Sequence, residues 1–158
     1  MAEDEVLRQG QGEVTLICCR GRLRAYQREM LLTDIACAIF WREGRVLLVR
    51  LAGHKERFPD CWDLVGGHVE PGESAEAAML REAKEEIGLT PLWFRKVVEH
   101  IEQDTVFHLF LVSEWQGGEP VLLGDEHTAM QWVTPDEAAS LDDMGHPQWC
   151  AIFGELQE

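Results

Sequence analysis

Residues 75–87, AEAAMLREAKEEI, do most to narrow what this chain can fold into. They are strong helix formers with no internal Gly or Pro. Gly88 stops the helix and Pro91 prevents its resumption. On an ideal helix Leu80, Ala83 and Ile87 share one side, with Ala77 nearby, and Glu82, Glu85 and Glu86 point the opposite way. Like charges at spacings of three and four repel by roughly 0.2–0.5 kcal/mol per pair. A solvated face is the ordinary meaning of such charge. Here, however, Lys84 turns toward the apolar side. Arg81 can pair with Glu85, four residues on, which leaves Glu82 and Glu86 facing each other. Such a face asks for positive charge from outside the helix.

The flanking pattern predicts a sheet. IACAIFW and RVLLVR, joined by the turn-like REG, read as a hairpin. LAGHKERFPD is a loop, CWDLV a short strand and GGHVEPGES a glycine-rich loop. Beyond the helix, LWFRKVVEHI, TVFHLFLVSEW and AMQWV read as strands. TPDEAASL opens a helix with Thr134 as N-cap and Pro135 at its first position, and HPQWCAIFGEL closes as another. Strands with two well-placed helices predict a sheet between helical layers.

At 158 residues the chain suits one core. The expected organisation is an N-terminal extension, 1–33, and a domain, 34–158. The extension holds a short strand at VTLICC, a helical spacing of Leu23, Tyr26, Met30 and Leu31, and a basic cluster of Arg20, Arg22, Arg24 and Arg28. Net charge is −15, which argues against nucleic-acid and acidic-membrane partners. It would also repel a phosphate substrate unless bound cations invert the local field. No apolar run approaches a membrane span, and MAEDEVLRQGQG lacks the regions of a signal peptide, so the expected location is cytoplasmic. Cys18, Cys19, Cys37, Cys61 and Cys150 show no C-x-x-C spacing and read as reduced thiols.

Oxygen donors of this kind suit Mg²⁺ first and Mn²⁺ next, and no Cys or His interleaves them to favour zinc. Glu73, just before the helix, can swing a fourth carboxylate toward the cluster. Gly66 and Gly67 allow close backbone approach. Arg50, at a strand end, is a candidate phosphate clamp or a surface arginine. Phe58, Trp62, Trp93, Phe107 and Trp132 are candidates for stacking on a base, each against a core role.

Gly67 is followed by five residues and Glu73, then by seven residues and Arg81-Glu82, Ala83, Lys84, Glu85-Glu86, Ile87, Gly88 and Leu89. This run resembles the Nudix box, G-x5-E-x7-R-E-U-x-E-E-x-G-U, where U is a bulky apolar residue. Its one departure is the small Ala83, which removes no ligand. So many fixed positions make a strong signal, and the likeness extends over most of residues 34–140.

The resemblance implies an α+β Nudix fold, a mixed β-sheet sandwiched between α-helices. It also implies Mg²⁺- or Mn²⁺-dependent hydrolysis of a nucleoside diphosphate linked to a group X. Glu82, Glu85 and Glu86 resemble the metal-binding face, with Glu73 in support, Gly67 and Gly66 meeting metal or phosphate, and Arg81 holding the carboxylates. The catalytic base would be a helix glutamate, Glu85 or Glu82, or Glu126 in GDEHTAMQWV, which otherwise is an exposed loop acid. His68 is a candidate phosphate contact, and His127 a weaker candidate for contact with the substrate.

The proline that ADP-ribose hydrolases of the family carry beyond the box is absent from EQDTV. The tyrosine typical of dinucleoside-polyphosphate hydrolases has no counterpart, since Tyr26 lies upstream. By elimination the chain resembles the MutT-like group, which act on nucleoside triphosphates or oxidised ones. A sugar-nucleotide or ADP-ribose pyrophosphatase and a non-catalytic nucleotide sensor are the alternatives. The expected partner is a small nucleotide, and a homodimer is compatible with the family.

Overall fold

Strands that bury both faces read in sequence as unbroken apolar runs, and three such runs organise this domain. The computed structural model describes residues 5–8, 13–16 and 32–156. The chain divides into two units, Met1–Thr33 and Asp34–Glu158. In the first, β1 (Glu5–Arg8) pairs antiparallel with β2 (Glu13–Leu16). The strand expected at VTLICC thus covers 13–16, and the helical spacing around Tyr26 falls outside the described residues.

The second unit is built on β3 (Thr33–Arg42), β4 (Arg45–Leu51), β5 (Trp62–Asp63), β6 (Val65–His68), β7 (Thr90–Glu102), β8 (Thr105–Gln116) and β9 (His127–Val133). The order is β5-β4-β3-β8-β7, with β6 also on β3 and β9 also on β4. Its helices are α1 (Ala75–Ile87), α2 (Pro135–Ala139) and α3 (Trp149–Glu155). Alternation on β3 splits the core. Cys37, Ile39 and Trp41 pack with Leu48, Leu109, Trp149 and Phe153 on one face. Ala36, Ala38 and Phe40 pack with Leu47, Val112, Met79 and Ile87 on the other. The mixed sheet therefore lies between α1 on one side and α2 with α3 on the other, as the sequence predicts. Among the described residues no helix is long and apolar enough to cross a membrane.

Local signals set the ends. Glu43 and Gly44 both have positive φ, 51° and 73°, in a tight two-residue turn between β3 and β4. Ser74 Oγ accepts from the Ala77 N–H at 3.1 Å to cap α1, and Gly88 closes it at φ 72°. Thr134 and Glu137 form a capping box on α2.

Two details correct the sequence reading. The buried side of α1 is Ala78, Met79, Ala83, Glu86 and Ile87, while Ala77 and Lys84 are exposed and Leu80 is half-buried. The helix is turned so that Glu86 enters the protein beside Ile87. In addition, Gly66 to His68 are not loop but strand, pairing with Cys37, Ala36 and Ile35 of β3. A side chain at Gly66 would overlap the Ala36 carbonyl oxygen, so this pairing requires glycine.

Candidate active site

The β6 pairing places Gly66 and Gly67 against the charged side of α1. Glu86 is 5% exposed, and its Oε2 accepts the Gly66 N–H at 3.2 Å. Burial pushes its carboxyl up to about 9; the Glu82 and Glu126 carboxylates add to the rise, and the Gly66 N–H opposes it. A Cβ on Gly67 would overlap the Glu82 carboxylate. These groups line a cleft of about 290 Å³, together with Phe58, His68, Glu126 and His127.

Arg81 organises the glutamates with every donor of its fork. Nε donates to Glu73 Oε1 at 2.9 Å and Nη2 to Glu73 Oε2 at 3.0 Å. Nη1 donates to Glu82 Oε1 at 2.7 Å and to Glu85 Oε2 at 3.3 Å. Nη2 also donates to the His68 carbonyl at 3.0 Å. The pairing read from sequence, Arg81 with Glu85, is thus the longest of these contacts. Glu73 also accepts the Glu70 N–H at 3.0 Å, and Arg81 above all holds its carboxyl below the usual range. With both oxygens engaged, Glu73 braces the guanidinium that reaches Glu82 and Glu85. The Glu85 side chain is 60% exposed.

Among the described residues no three acidic, His or Cys side chains already share a metal position. The donor set nevertheless fits a hard divalent cation. It is all oxygen, Glu86 is buried beside two further carboxylates, and Glu85 stands on the same helix, tied to Glu82 through Arg81. A buried carboxylate beside two others is a place where a bound cation would offset the desolvation and the repulsion together.

The remaining candidates separate clearly. Arg50 does not reach the cleft: strand alternation aims it toward Asp143, 3.7 Å away, over the Trp62 ring. Its neighbour Leu51 lines the cleft instead. The cations at the cleft are Lys55 and Arg57, which the sequence reading left inside a loop. Lys55 Nζ lies 3.6 Å from Glu126 Oε2. Of the aromatic candidates, Phe58 and Phe107 line the cleft. Trp62 is buried, Trp93 is 70% exposed on the edge strand β7, and Trp132 stacks on Trp115 beneath Arg42. His127 is buried, and burial lowers its pKa. Asp63 and His146 also line the cleft and were not anticipated. The sequence signal for them was weak: a short WD strand and a lone His before Pro147.

The Glu86 carboxyl gives a signed pH prediction. Its folded value, about 9, exceeds the ordinary 4.5, so its contribution to stability is complete below about 4.5 and is lost as pH rises toward 9. In EDTA, melting temperature should fall across that window. Divalent metal, which binds the ionised form, should restore it most strongly at the alkaline end. Thermal melts with and without metal measure this; an identical metal response at pH 5 and pH 9 would contradict it.

The family model for the NUDIX domain matches residues 30–152. The nucleoside triphosphatase NudI of Salmonella agona (strain SL483) is 32% identical over 121 residues, covering 68% of this chain and 86% of that protein. Among solved structures, a MutT NUDIX hydrolase from Burkholderia pseudomallei superposes with a TM-score of 0.67 at 26% identity, covering 79% of this chain and 98% of that one. The E. coli ORF135 protein superposes with a TM-score of 0.65, also at 26% identity, covering 78% and 89%.

Proposed function

The chain belongs to the Nudix hydrolase family, and from that premise we propose that it hydrolyses nucleoside triphosphates to monophosphate and pyrophosphate with Mg²⁺ or Mn²⁺. One observation carries this reading. Glu86 is buried beside Glu82 and Glu126 in the lining of a cleft that also includes Phe58 and Phe107. The carboxylates call for cations and hence phosphates, and the two rings are suited to an aromatic base. The relative named as a nucleoside triphosphatase supports the same substrate class.

Glu82, Glu85 and Glu86 would hold the metal, with the Gly67 backbone beside them. Bound there, a divalent cation supplies polarisation of phosphate oxygens and a lowered pKa for a coordinated water. Arg81 fixes Glu82, and Glu73 fixes Arg81, so the carboxylate orientation is set before substrate arrives. Lys55 and Arg57 offer positive charge to the phosphate chain. Glu126, with a side chain 49% exposed beside Lys55, accepts the proton of the attacking water.

A panel with Mg²⁺ tests the reading: nucleoside triphosphates, oxidised triphosphates, ADP-ribose, sugar nucleotides and dinucleoside polyphosphates. Nucleoside triphosphates should show the highest kcat/KM. Turnover of none would sink the hydrolase reading, and a clear preference for ADP-ribose or sugar nucleotides would replace the substrate class.

A further inference from the structure

Asp63 and His146, 83 residues apart in sequence, meet on the wall of the same cleft. The role assigned above to the glutamates uses neither. Asp63 Oδ1 accepts the Leu64 N–H at 2.8 Å, and its Oδ2 lies 3.0 Å from His146 Nδ1. His146 is 7% exposed, with its ring held by three aromatic neighbours. Phe58 and Phe107 meet it edge-on at 4.6 and 5.0 Å, and Trp149 stacks on it at 5.3 Å.

The backbone around the pair is equally fixed. Trp62 N donates to the Asp143 carbonyl at 2.8 Å, and Gly145 N donates to the Trp62 carbonyl at 2.9 Å. A Cβ on Gly145 would come within 3.3 Å of Phe58 and 3.5 Å of Asp63 Oδ2. The chain thus holds one imidazole in one orientation against one carboxylate.

A carboxylate accepts, so Nδ1 carries the hydrogen, and in the neutral form of the ring Nε2 is an acceptor. Among the described residues Nε2 has no hydrogen-bond partner, and it is not among the sealed buried atoms. An acceptor beside a carboxylate is unsuited to phosphate oxygens. It suits a neutral group that brings an N–H, in surroundings that Phe58 and Phe107 make apolar.

The geometry points to the Asp63–His146 pair as the reader of the substrate's nucleobase: His146 Nε2 accepts a base N–H, and Asp63 is the positioning residue that fixes the tautomer. This rests on the nucleoside triphosphate reading above. No bond is made or broken at the pair; it sets which base edge is accepted.

The test uses the full chain with Mg²⁺, its best nucleoside triphosphate, and base-free ribose 5-triphosphate as a competitive inhibitor. His146→Phe should raise KM about tenfold, the scale of one lost hydrogen bond, with kcat and the inhibitor constant unchanged. His146→Gln, whose amide oxygen accepts, should recover most of the loss. Asp63→Asn should move the imidazole hydrogen from Nδ1 to Nε2, read by ¹⁵N NMR, and raise KM as His146→Phe does. Equal loss for substrate and inhibitor, or an unchanged KM in folded His146→Phe and Asp63→Asn together with an unmoved tautomer in Asp63→Asn, would overturn the assignment. A wild-type chain that turns over no nucleoside triphosphate would remove the parent reading and this one together. An active wild type with unaffected variants would remove this one alone.

Discussion

Glu86→Gln is expected to lower kcat by about 10²-fold or more while the protein stays folded, because it removes metal-based stabilisation of the transition state. Glutamine keeps the volume and can still accept the Gly66 N–H through its amide oxygen. It removes a carboxylate that burial and two acidic neighbours push up to about 9. The metal-free variant should therefore melt higher than the wild type at pH 8, having no proton to lose there. Loss of activity with gain of apo stability separates a functional carboxylate from a structural one. Near wild-type kcat would move the metal site away from Glu86.

Arg81→Lys is the second large effect, with kcat/KM expected to fall about 10²-fold, since a misplaced metal ligand costs preorganised transition-state stabilisation. The guanidinium makes five contacts, to Glu73, Glu82, Glu85 and the His68 carbonyl. An ammonium has three donors at one point and cannot span both oxygens of Glu73 while reaching Glu82. The glutamates would then repel without a fixed arrangement, and Mn²⁺ affinity, read by calorimetry, should weaken alongside kcat/KM. Wild-type kinetics in this variant would make the fork an incidental surface network.

How far the sequence carried depends on which force sets each feature. β3, β4 and β8 were legible because burial on both faces leaves apolar runs. Helix α1 was legible over residues 75–87 with its stop at Gly88, yet its buried face was misread. Periodicity places a glutamate outward, whereas Glu86 is buried where a bound cation would answer its charge. Glu73 was legible as part of the cluster, but only coordinates show both its oxygens on Arg81. Arg50 failed on strand parity: Leu51, one residue on, faces the cleft. Lys55 and Arg57 were hidden in a loop whose path depends on backbone bonds from Ala52 to the Glu126 carbonyl and from Asp60 to the Leu51 carbonyl. Asp63 and His146 were hidden for a further reason. Their meeting depends on a bridge between Trp62 and Met144, and no local pattern announces a contact of that range.

The most direct measurement of the central claim is ³¹P NMR of a nucleoside triphosphate reaction with the wild-type chain, with Mg²⁺ and then with EDTA. The account predicts nucleoside monophosphate and pyrophosphate in equal amounts, no turnover in EDTA, and recovery when metal is returned. Diphosphate and orthophosphate as the products, or turnover that persists in EDTA, would contradict it.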